Sequence, residues 1–267
     1  MPVTLTIAGF DPSGGAGVSA DLRVIDSLGG NGVSAITALT VQNTRGVLAV
    51  HPVDPAILKA QLEALFDDIP IAAVKIGMLA GLPQLQVVLA ILRRFMPANI
   101  VVDPVIASTG GVPLFDHAAI RTFVVELLPL CHMVTPNLAE AAIMTGVAVH
   151  DPGSMAKAGR RLVDGGARNA LVKGGHLTEE ATDVLVTSDG AAHEFALPRI
   201  DTAHSHGTGC FLSSAIAANL ANGLRVEEAV KAAKRKLHDA LQAPVSLGTG
   251  SGYPSSRRYN LYKGEKE

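Results

Sequence analysis

Short runs of Val, Ile and Leu recur along the whole chain, and segments of helical period separate them. That alternation constrains the fold more than any other feature. Strands that are apolar on both faces must be covered on both faces, and helices between consecutive strands supply the cover. Val3–Ala8 reads as a strand, followed by a Gly-rich loop and a helix over about Gly17–Leu28. Val33–Thr40 is a second strand, and the shorter Val47–Val53 suits an edge. Asp54-Pro55 places a capping side chain before a proline at the first helical position. The helix that follows puts Ile57, Leu58, Leu62, Leu65 and Phe66 on one face. Further strands are expected at Ala73–Ile76, Ile100–Val102, Met133–Thr135 and Ala170–Lys173, with helices from Pro83 to about Phe95, from Asp116 to Leu127, after Asn137 to Met144, and from Asp151-Pro152 to Val163.

Asp183–Ser188 and His193–Leu197 read as a hairpin around Asp189-Gly190. A helix over Cys210–Ala221 stops at Asn222-Gly223. The last helix carries Glu227 and Lys231 four apart, with Val226, Val230, Ala233, Leu237 and Leu241 on its apolar face. The expected architecture is α/β, with a mostly parallel central sheet flanked by helices in three layers and one domain over 1–267. The polar stretch 245–267, which holds Tyr253, Tyr259, Tyr262, Arg257, Arg258, Lys263 and Lys266, is expected to pack loosely.

Composition excludes several classes. With 48% hydrophobic and only 17% charged residues, against about 25% charged in ordinary soluble proteins, a membrane protein has to be considered. The longest charge-free stretch, Thr202–Leu224, is broken by Gly207, Gly209, Ser213, Ser214, Asn219 and Asn222, so it is no membrane span. A net charge of −2 without a basic block argues against a nucleic-acid footprint. Met1–Gly9 lacks the features of a signal peptide. Cys131 and Cys210 form no disulfide framework, which points to a cytoplasmic protein with reduced thiols.

In open α/β sheets ligands bind at the carboxyl ends of the strands. Six segments at strand ends carry unusual residues: Gly9–Gly17, Lys75–Leu79, Asp103–Val105, Thr135–Asn137, Lys173–His176 and His206–Cys210. They are expected to converge on one rim. Gly207-Thr208-Gly209 runs straight into a helix, so its N–H groups and the helix terminus make an anion cradle suited to a transferring phosphoryl group. Cys210 in the first turn is expected to have a thiol pKa lowered toward neutrality and to serve as a base. The competing reading is a small Cys packed beneath a tight turn. His204, His206 and Cys210 do not have zinc spacing.

Gly15-Ala16-Gly17-Val18-Ser19-Ala20 approximates a dinucleotide fingerprint, but Thr40-Val41-Gln42-Asn43 ends the second strand without the carboxylate that a ribose needs. Lys173, followed by two glycines, can place an ammonium beside a phosphate. Asp103 and Glu140, near neighbouring strand ends, could hold Mg2+ through water; the competing readings are a turn cap before Pro104 for Asp103 and a solvated helix carboxylate for Glu140. Lys75 is read either as part of the site or as a structural ion-pair partner.

AGFDPSGGAG at 8–17, SAITALTVQNT at 34–44, VKIGML at 74–79, VVDPV at 101–105, VTPNLAEA at 134–141, LVKGGHL at 171–177 and HGTGC at 206–210 resemble, in order, the hydroxymethylpyrimidine/phosphomethylpyrimidine kinases of thiamin biosynthesis. The resemblance spans about residues 3–242 and implies a ribokinase-like fold. It implies phosphorylation by MgATP of 4-amino-5-hydroxymethyl-2-methylpyrimidine, and then of the resulting monophosphate. By motif, Ala16, Asp21, Gln42, Met78 and Val105 would line the pyrimidine site. Cys210 would be the base, and Gly207, Thr208 and Gly209 the anion hole. Lys173 would contact the nucleotide phosphates, and Asp103, Asn137 and Glu140 would organise the metal. Sugar kinases of this fold generally carry Asp where Cys210 stands, which favours the pyrimidine branch. A homodimer without nucleic-acid or membrane partners is expected. Phe10 stands where the family often has a small hydroxyl residue, Ile106–Gly111 lacks a Lys often seen in that loop, and the tail after Leu247 does not match. A pyridoxal-type kinase and a non-catalytic ligand-binding protein of the same fold are the alternatives.

Overall fold

The computed structural model describes residues 1–106, 117–175, 177 and 180–256. Among the described residues nine strands form one sheet: β1 (Val3–Phe10), β2 (Asn31–Asn43), β3 (Gly46–Pro52), β4 (Ile71–Ile76), β5 (Asn99–Val102), β6 (Met133–Val134), β7 (Ala170–Val172), β8 (Glu180–Val186) and β9 (Ala192–Pro198). Their order is β3-β2-β1-β4-β5-β6-β7-β8-β9. The strands from β2 to β7 in that order pair parallel; β3, β8 and β9 join through antiparallel ladders. The chain leaves β1 first toward β2 and later toward β4, so the point of reversal lies at β1, where a ligand crevice is expected.

The helices are α1 (Gly17–Ser27), α2 (Pro55–Asp68), α3 (Leu82–Phe95), α4 (His117–Thr122), α5 (Leu138–Thr145), α6 (Pro152–Asp164), α7 (Thr208–Ala221) and α8 (Val226–Gln242). Strand residues alternate between two apolar layers. Val74, Ile76, Ile100, Val102 and Val134 pack with α2, α3 and the α4 region, while Ala73, Val101, Met133, Leu171 and Leu185 pack with α1, α7 and α8. This is the two-faced burial that the Val/Ile/Leu runs require. Asp54 caps α2 by accepting from the Ala56 N–H at 2.7 Å. Asp151 and Ser154 close a reciprocal cap on α6.

Several elements depart from expectation. Ile57, assigned to the buried face of α2, is 55% exposed, while Leu58 and Leu62 are fully buried; α2 covers the sheet with a narrower stripe than its apolar content suggests. The helix expected through Leu127 changes to a π turn over Phe123–Leu127 and a 3-10 turn over Leu128–Leu130. Pro129, whose N–H is missing, sits in that last turn. Its expected cap, Asp116, lies outside the described residues. β2 continues past Thr40 to Asn43 against β3, so Gln42, expected at the strand's end, is paired within the ladder.

Residues 245–256, expected to pack loosely, are tied down. Val245 and Tyr253 exchange backbone hydrogen bonds, the Ser251 N–H donates to the Thr44 carbonyl at 2.8 Å, and the Arg23 guanidinium lies 5.3 Å from the centre of the Tyr253 ring. Tyr259, Tyr262, Arg257, Arg258, Lys263 and Lys266 lie outside the described residues.

Of the two readings of Lys75, the structure takes the ion pair. Lys75 on β4 is fully buried and its Nζ lies 2.8 Å from Asp21 Oδ2 on α1, also fully buried. Thr6 of β1 donates to the same carboxylate oxygen at 2.6 Å and Ser214 of α7 to the other at 2.8 Å. Burial alone would lower the Lys75 pKa, but the nearby negative groups, Asp21 foremost with its charge and its hydrogen bond, together more than reverse that and raise it. Lys75→Met leaves the Asp21 carboxylate buried without a counter-charge and should destabilise the fold by about 3–5 kcal/mol, read as a lowered midpoint in urea unfolding. Replacing both partners, as Lys75→Met with Asp21→Leu, should recover much of that loss; no recovery in the double variant would refute the pairing account.

Candidate active site

The segments expected at the rim meet there. A cavity of about 660 Å³ is lined by residues from each of them. At the β1 end lie Gly9, Phe10, Ala16, Gln42, Met78 and Val105; the middle holds Asp103, Asn137, Glu140, Lys173 and Gly207–Cys210. Toward the far edge the apolar Ala181, Leu197, Ile200, Leu237 and Leu241 share the wall with Arg199, Lys234 and His238. His176 lies outside the described residues, as do residues 107–111 of the loop noted for its missing lysine.

Gly207–Cys210 arrives by a different route from the other segments. β9 is at the edge of the sheet, and residues 199–207 carry the chain back across the rim to start α7 under its centre. Glycine is required at Gly207: its φ is +75°, and a Cβ there would collide with the Gly15 carbonyl. The anion loop and the first loop therefore touch backbone to backbone. Thr208 N–H donates to Ser205 at 3.4 Å. The next two N–H groups, of Gly209 and Cys210, belong to the helix terminus that a phosphoryl oxygen can occupy.

Lys173 Nζ is 2.6 Å from Asp103 Oδ1, and Thr135 Oγ1 is 3.4 Å from the same oxygen. Burial lowers the Lys173 pKa, but Asp103 and Glu140 outweigh it and raise it, so the ammonium stays charged. Asn137 and Glu140 form a reciprocal cap on α5: the Asn137 side chain accepts from the Glu140 N–H at 2.9 Å, and Glu140 Oε2 accepts from the Asn137 N–H at 2.8 Å. Burial pushes the Glu140 carboxyl up to about 7; Lys173 pulls it down and Asp103 pushes it further up. Asp103 and Glu140 are the two acidic side chains here, a bound cation would favour the ionised form of Glu140, and no cluster of three or more His, Cys, Asp or Glu suited to a metal occurs among the described residues. That set fits Mg2+, which keeps most of its waters and takes phosphate oxygens, and does not form a closed protein cage.

Two expectations fail. Asp21, expected to line the cavity, lies beneath its floor with its carboxylate engaged by Lys75, Thr6 and Ser214. It is on the first helix as expected, but it faces the sheet rather than the loop. The Cys210 thiol is not lowered toward neutrality. Burial pushes it up to about 11, with Asp21 and Asp103 adding to the rise against the opposing pull of Lys75 and a Gly17 N–H. The helix terminus does not offset desolvation with two carboxylates nearby.

Other residues in the site were not singled out from sequence. Asp11 accepts from Ser13 and Ala16 N–H groups and lies 3.0 Å from His206 Nε2. Asp183 accepts from the Gly174 N–H at 2.8 Å and pairs with Lys234 of α8 at 2.7 Å, which ties the Lys173-Gly174 turn to α8. The available signal was a charged residue within an apolar strand, as at Lys75 and Asp183, which demands a partner. His204 Nδ1 accepts from the Gly252 N–H at 2.9 Å, which gives it a role in holding the C-terminal segment.

An anion cradle at a helix terminus, a buried lysine–aspartate pair beside it and an elongated cavity on a mostly parallel sheet define a ribokinase-like phosphotransferase. Comparison with known proteins narrows this. A model of the phosphomethylpyrimidine kinase family matches residues 11–255, and the chain belongs to that family. It is 48% identical over 254 residues to the hydroxymethylpyrimidine/phosphomethylpyrimidine kinase of Rhizobium meliloti, covering 94% of each chain. It is 46% identical over 250 residues to the thiamine biosynthesis bifunctional protein ThiED of Geobacter sulfurreducens, where it covers 93% of this chain and 51% of that longer one. Among solved structures, phosphomethylpyrimidine kinase from Clostridium difficile superimposes with a TM-score of 0.81 at 39% identity, covering 90% of this chain and all of that one. Pyridoxal kinase from Staphylococcus aureus in complex with AMP-PCP and pyridoxal gives 0.88 at 28% identity, covering 98% and 96%.

A Cβ at Gly209 would stand 3.2 Å from both Asp103 Oδ2 and Lys173 Nζ, so Gly209→Val drives a branched side chain into the centre of the cradle. Phosphoryl transfer should fall by about 10²–10³ or more, the cost of one oxyanion donor, with the far-ultraviolet circular dichroism unchanged. A near-normal rate in the folded variant would refute the placement of the cradle.

Proposed function

We propose that the chain transfers the γ-phosphoryl group of ATP to the hydroxyl of 4-amino-5-hydroxymethyl-2-methylpyrimidine and then to the phosphate of the product. The observation that carries this is the placement of Cys210 and Lys173 in the wall of one cavity that also takes in Gln42 and Met78 at its β1 end and Leu237 and Leu241 of α8 at the other. The chamber at β1 offers Gln42, whose amide has both donor and acceptor, together with Ala16, Met78 and Val105: a polar edge in an otherwise apolar slot, suited to a flat heterocycle. The end at α8 joins the apolar Leu197, Ile200, Leu237 and Leu241 to the polar Arg199, Lys234 and His238, a mixture suited to a nucleoside. The known complexes of the related pyridoxal kinase with an ATP analogue support the use of ATP.

In this reading Gly209 and Cys210 N–H groups hold the charge that develops on the transferred group, with Thr208 in the same turn, and Lys173 neutralises the nucleotide phosphates. Asp103 holds Lys173 in place. Mg2+ bound with the nucleotide would be held by Asp103 and Glu140 through water, with Asn137 orienting Glu140, and would supply further neutralisation of phosphate charge.

The chain is further proposed to act in the cytoplasm as a homodimer. Leu39, Val41 and Leu48, about half or more exposed on the β2–β3 ribbon, supply an apolar face for a second copy. Light scattering should then report twice the chain mass, and Leu48→Glu should reduce it.

ADP release should be Mg2+-dependent with the hydroxymethylpyrimidine and with its monophosphate. Ribose turning over faster than the pyrimidine would overturn the reading, and pyridoxal turning over faster would assign the chain to the pyridoxal branch.

The two steps make different demands on Cys210. A thiol raised to about 11 is neutral at pH 7, and its ionised fraction grows about tenfold per pH unit below that value. The first step must deprotonate an alcohol. The second uses a phosphate oxygen that is already largely ionised, its second pKa being about 6. The first phosphorylation should therefore quicken steeply from pH 7 to 9 and the second much less. Cys210→Ala should slow the first step by about 10²–10⁴ and abolish its pH slope, with little effect on the second. Equal small losses in both steps would assign Cys210 to packing.

A further inference from the structure

Gln42 belongs to a chain of hydrogen bonds whose protons can be counted. Thr40 Oγ1 lies 2.9 Å from the Phe10 carbonyl oxygen and 3.2 Å from the Gln42 side-chain oxygen. A hydroxyl has one proton, and two oxygens 2.9 Å apart need it between them. Thr40 therefore donates to Phe10 and can only accept from Gln42. At the other end, His206 Nε2 lies 3.0 Å from Asp11 Oδ2 and 3.1 Å from the Gln42 amide nitrogen. Burial pushes the Asp11 carboxyl up, but hydrogen bonds from His206 and Ser13 outweigh it and hold the pKa below its usual value. Asp11 is thus a carboxylate, an acceptor only, and Nε2 must carry a proton. A protonated ring nitrogen cannot also accept from an amide N–H. Both conflicts vanish when the Gln42 amide is turned by 180°, since its two ends are nearly isosteric. Its NH2 then donates to Thr40, and its carbonyl oxygen accepts from His206.

We propose that His206 is a positioning residue that sets substrate specificity: its Nε2–H, shared between Asp11 and Gln42, holds the Gln42 carbonyl at the anion-loop end of the pyrimidine slot and the NH2 at the Thr40 end. This rests on the proposed pyrimidine kinase activity. The residue after His206 is Gly207, where the anion loop begins, so the hydroxymethyl arm of a substrate must point to that end. In the aminopyrimidine, the amino group sits on the carbon beside the one that bears this arm, and a ring nitrogen follows. The amino donor then meets the Gln42 carbonyl, and the ring nitrogen accepts from the Gln42 NH2. Pyridoxal carries an aldehyde oxygen beside its hydroxymethyl arm, so it sets acceptor against acceptor. A site built to bond one pattern leaves a buried group unpaired with the other, which is the strongest form of discrimination.

The test uses the full chain, as wild type, His206→Leu and His206→Gln, with three substrates: the hydroxymethylpyrimidine, its analogue with hydrogen in place of the amino group, and pyridoxal. Wild type should prefer the aminopyrimidine. His206→Leu should lower kcat/KM for it by about tenfold or more, chiefly through KM, and narrow its preference over both other substrates by a similar factor. KM for ATP should stay within about twofold, since the side-chain partners of His206 are Asp11 and Gln42 rather than Lys173 or the α8 residues. His206→Gln, which keeps an N–H donor, should restore most of the preference. An active wild type whose preference survives His206→Leu would overturn the proposal; a wild type that does not phosphorylate the pyrimidine would overturn the functional reading instead. A long-range 1H–15N correlation spectrum of His206 in the wild-type protein tests the hydrogen-bond assignment independently of activity or variant folding. A proton on Nε2 is expected, and a neutral ring protonated on Nδ1 alone would overturn the proposal.

Discussion

The buried pair between Asp21 and Lys75 is the contact on which the rest of the site depends. A single charge at that depth costs several kcal/mol, and only an ion pair with its remaining lone pairs satisfied makes it tolerable. Thr6 and Ser214 supply the missing hydrogen bonds, so β1, α1, β4 and α7 must all be in register for the pair to exist. Ser214 is one helical turn beyond Cys210, on the same side of α7. The pair therefore pins α7 at the turn just below the thiol and fixes how far its N-terminus projects into the rim. It also sets the electrostatics above it: Lys75 draws the thiol toward ionisation while Asp21 and burial oppose it.

Above that floor the site is built by close approach of main chain to main chain. Gly17 has φ of +59° and lies against the Gly9 carbonyl, and Gly207 lies against Gly15 in the same way. The first contact folds the 9–17 loop on itself and the second brings the remote 206–210 loop against it; Asp11 holds its own loop through Ser13 and Ala16 and ties it to the other through His206. The loops thus behave as one preorganised surface, which is what stabilisation of developing phosphoryl charge demands. A second buried pair, Lys234 with Asp183, does the same for the turn after β7.

Much of this was legible before any coordinates. Asp54-Pro55 and Asp151-Pro152 start helices because capping and a fixed φ act within four residues. The strand ends collect on one rim because handedness and sheet direction leave little choice. Gln42, Met78, Val105, Lys173 and Gly207–Cys210 were expected at the cavity and line it. What was misread concerned where a side chain points and what surrounds it. Asp21 follows the glycine loop closely enough to suggest a ligand contact, yet the sheet lies on its side of α1. Ile57 fits the period of α2, yet it stays 55% exposed at the margin of the covered face.

Sequence alone determined the layering, the order of strands and helices and the chemical character of the rim, because periodicity, caps and turn residues act over a few neighbouring positions. Tertiary structure decided the state of each charge. Lys75 meets Asp21 across 54 positions, Lys173 meets Asp103 across 70, and His206 meets Asp11 across 195. The protonation of Cys210, the orientation of the Gln42 amide and the burial of Asp21 all follow from such pairs. Coulomb interactions and desolvation depend on distance through space and on the exclusion of water, and neither is written in any local stretch of chain.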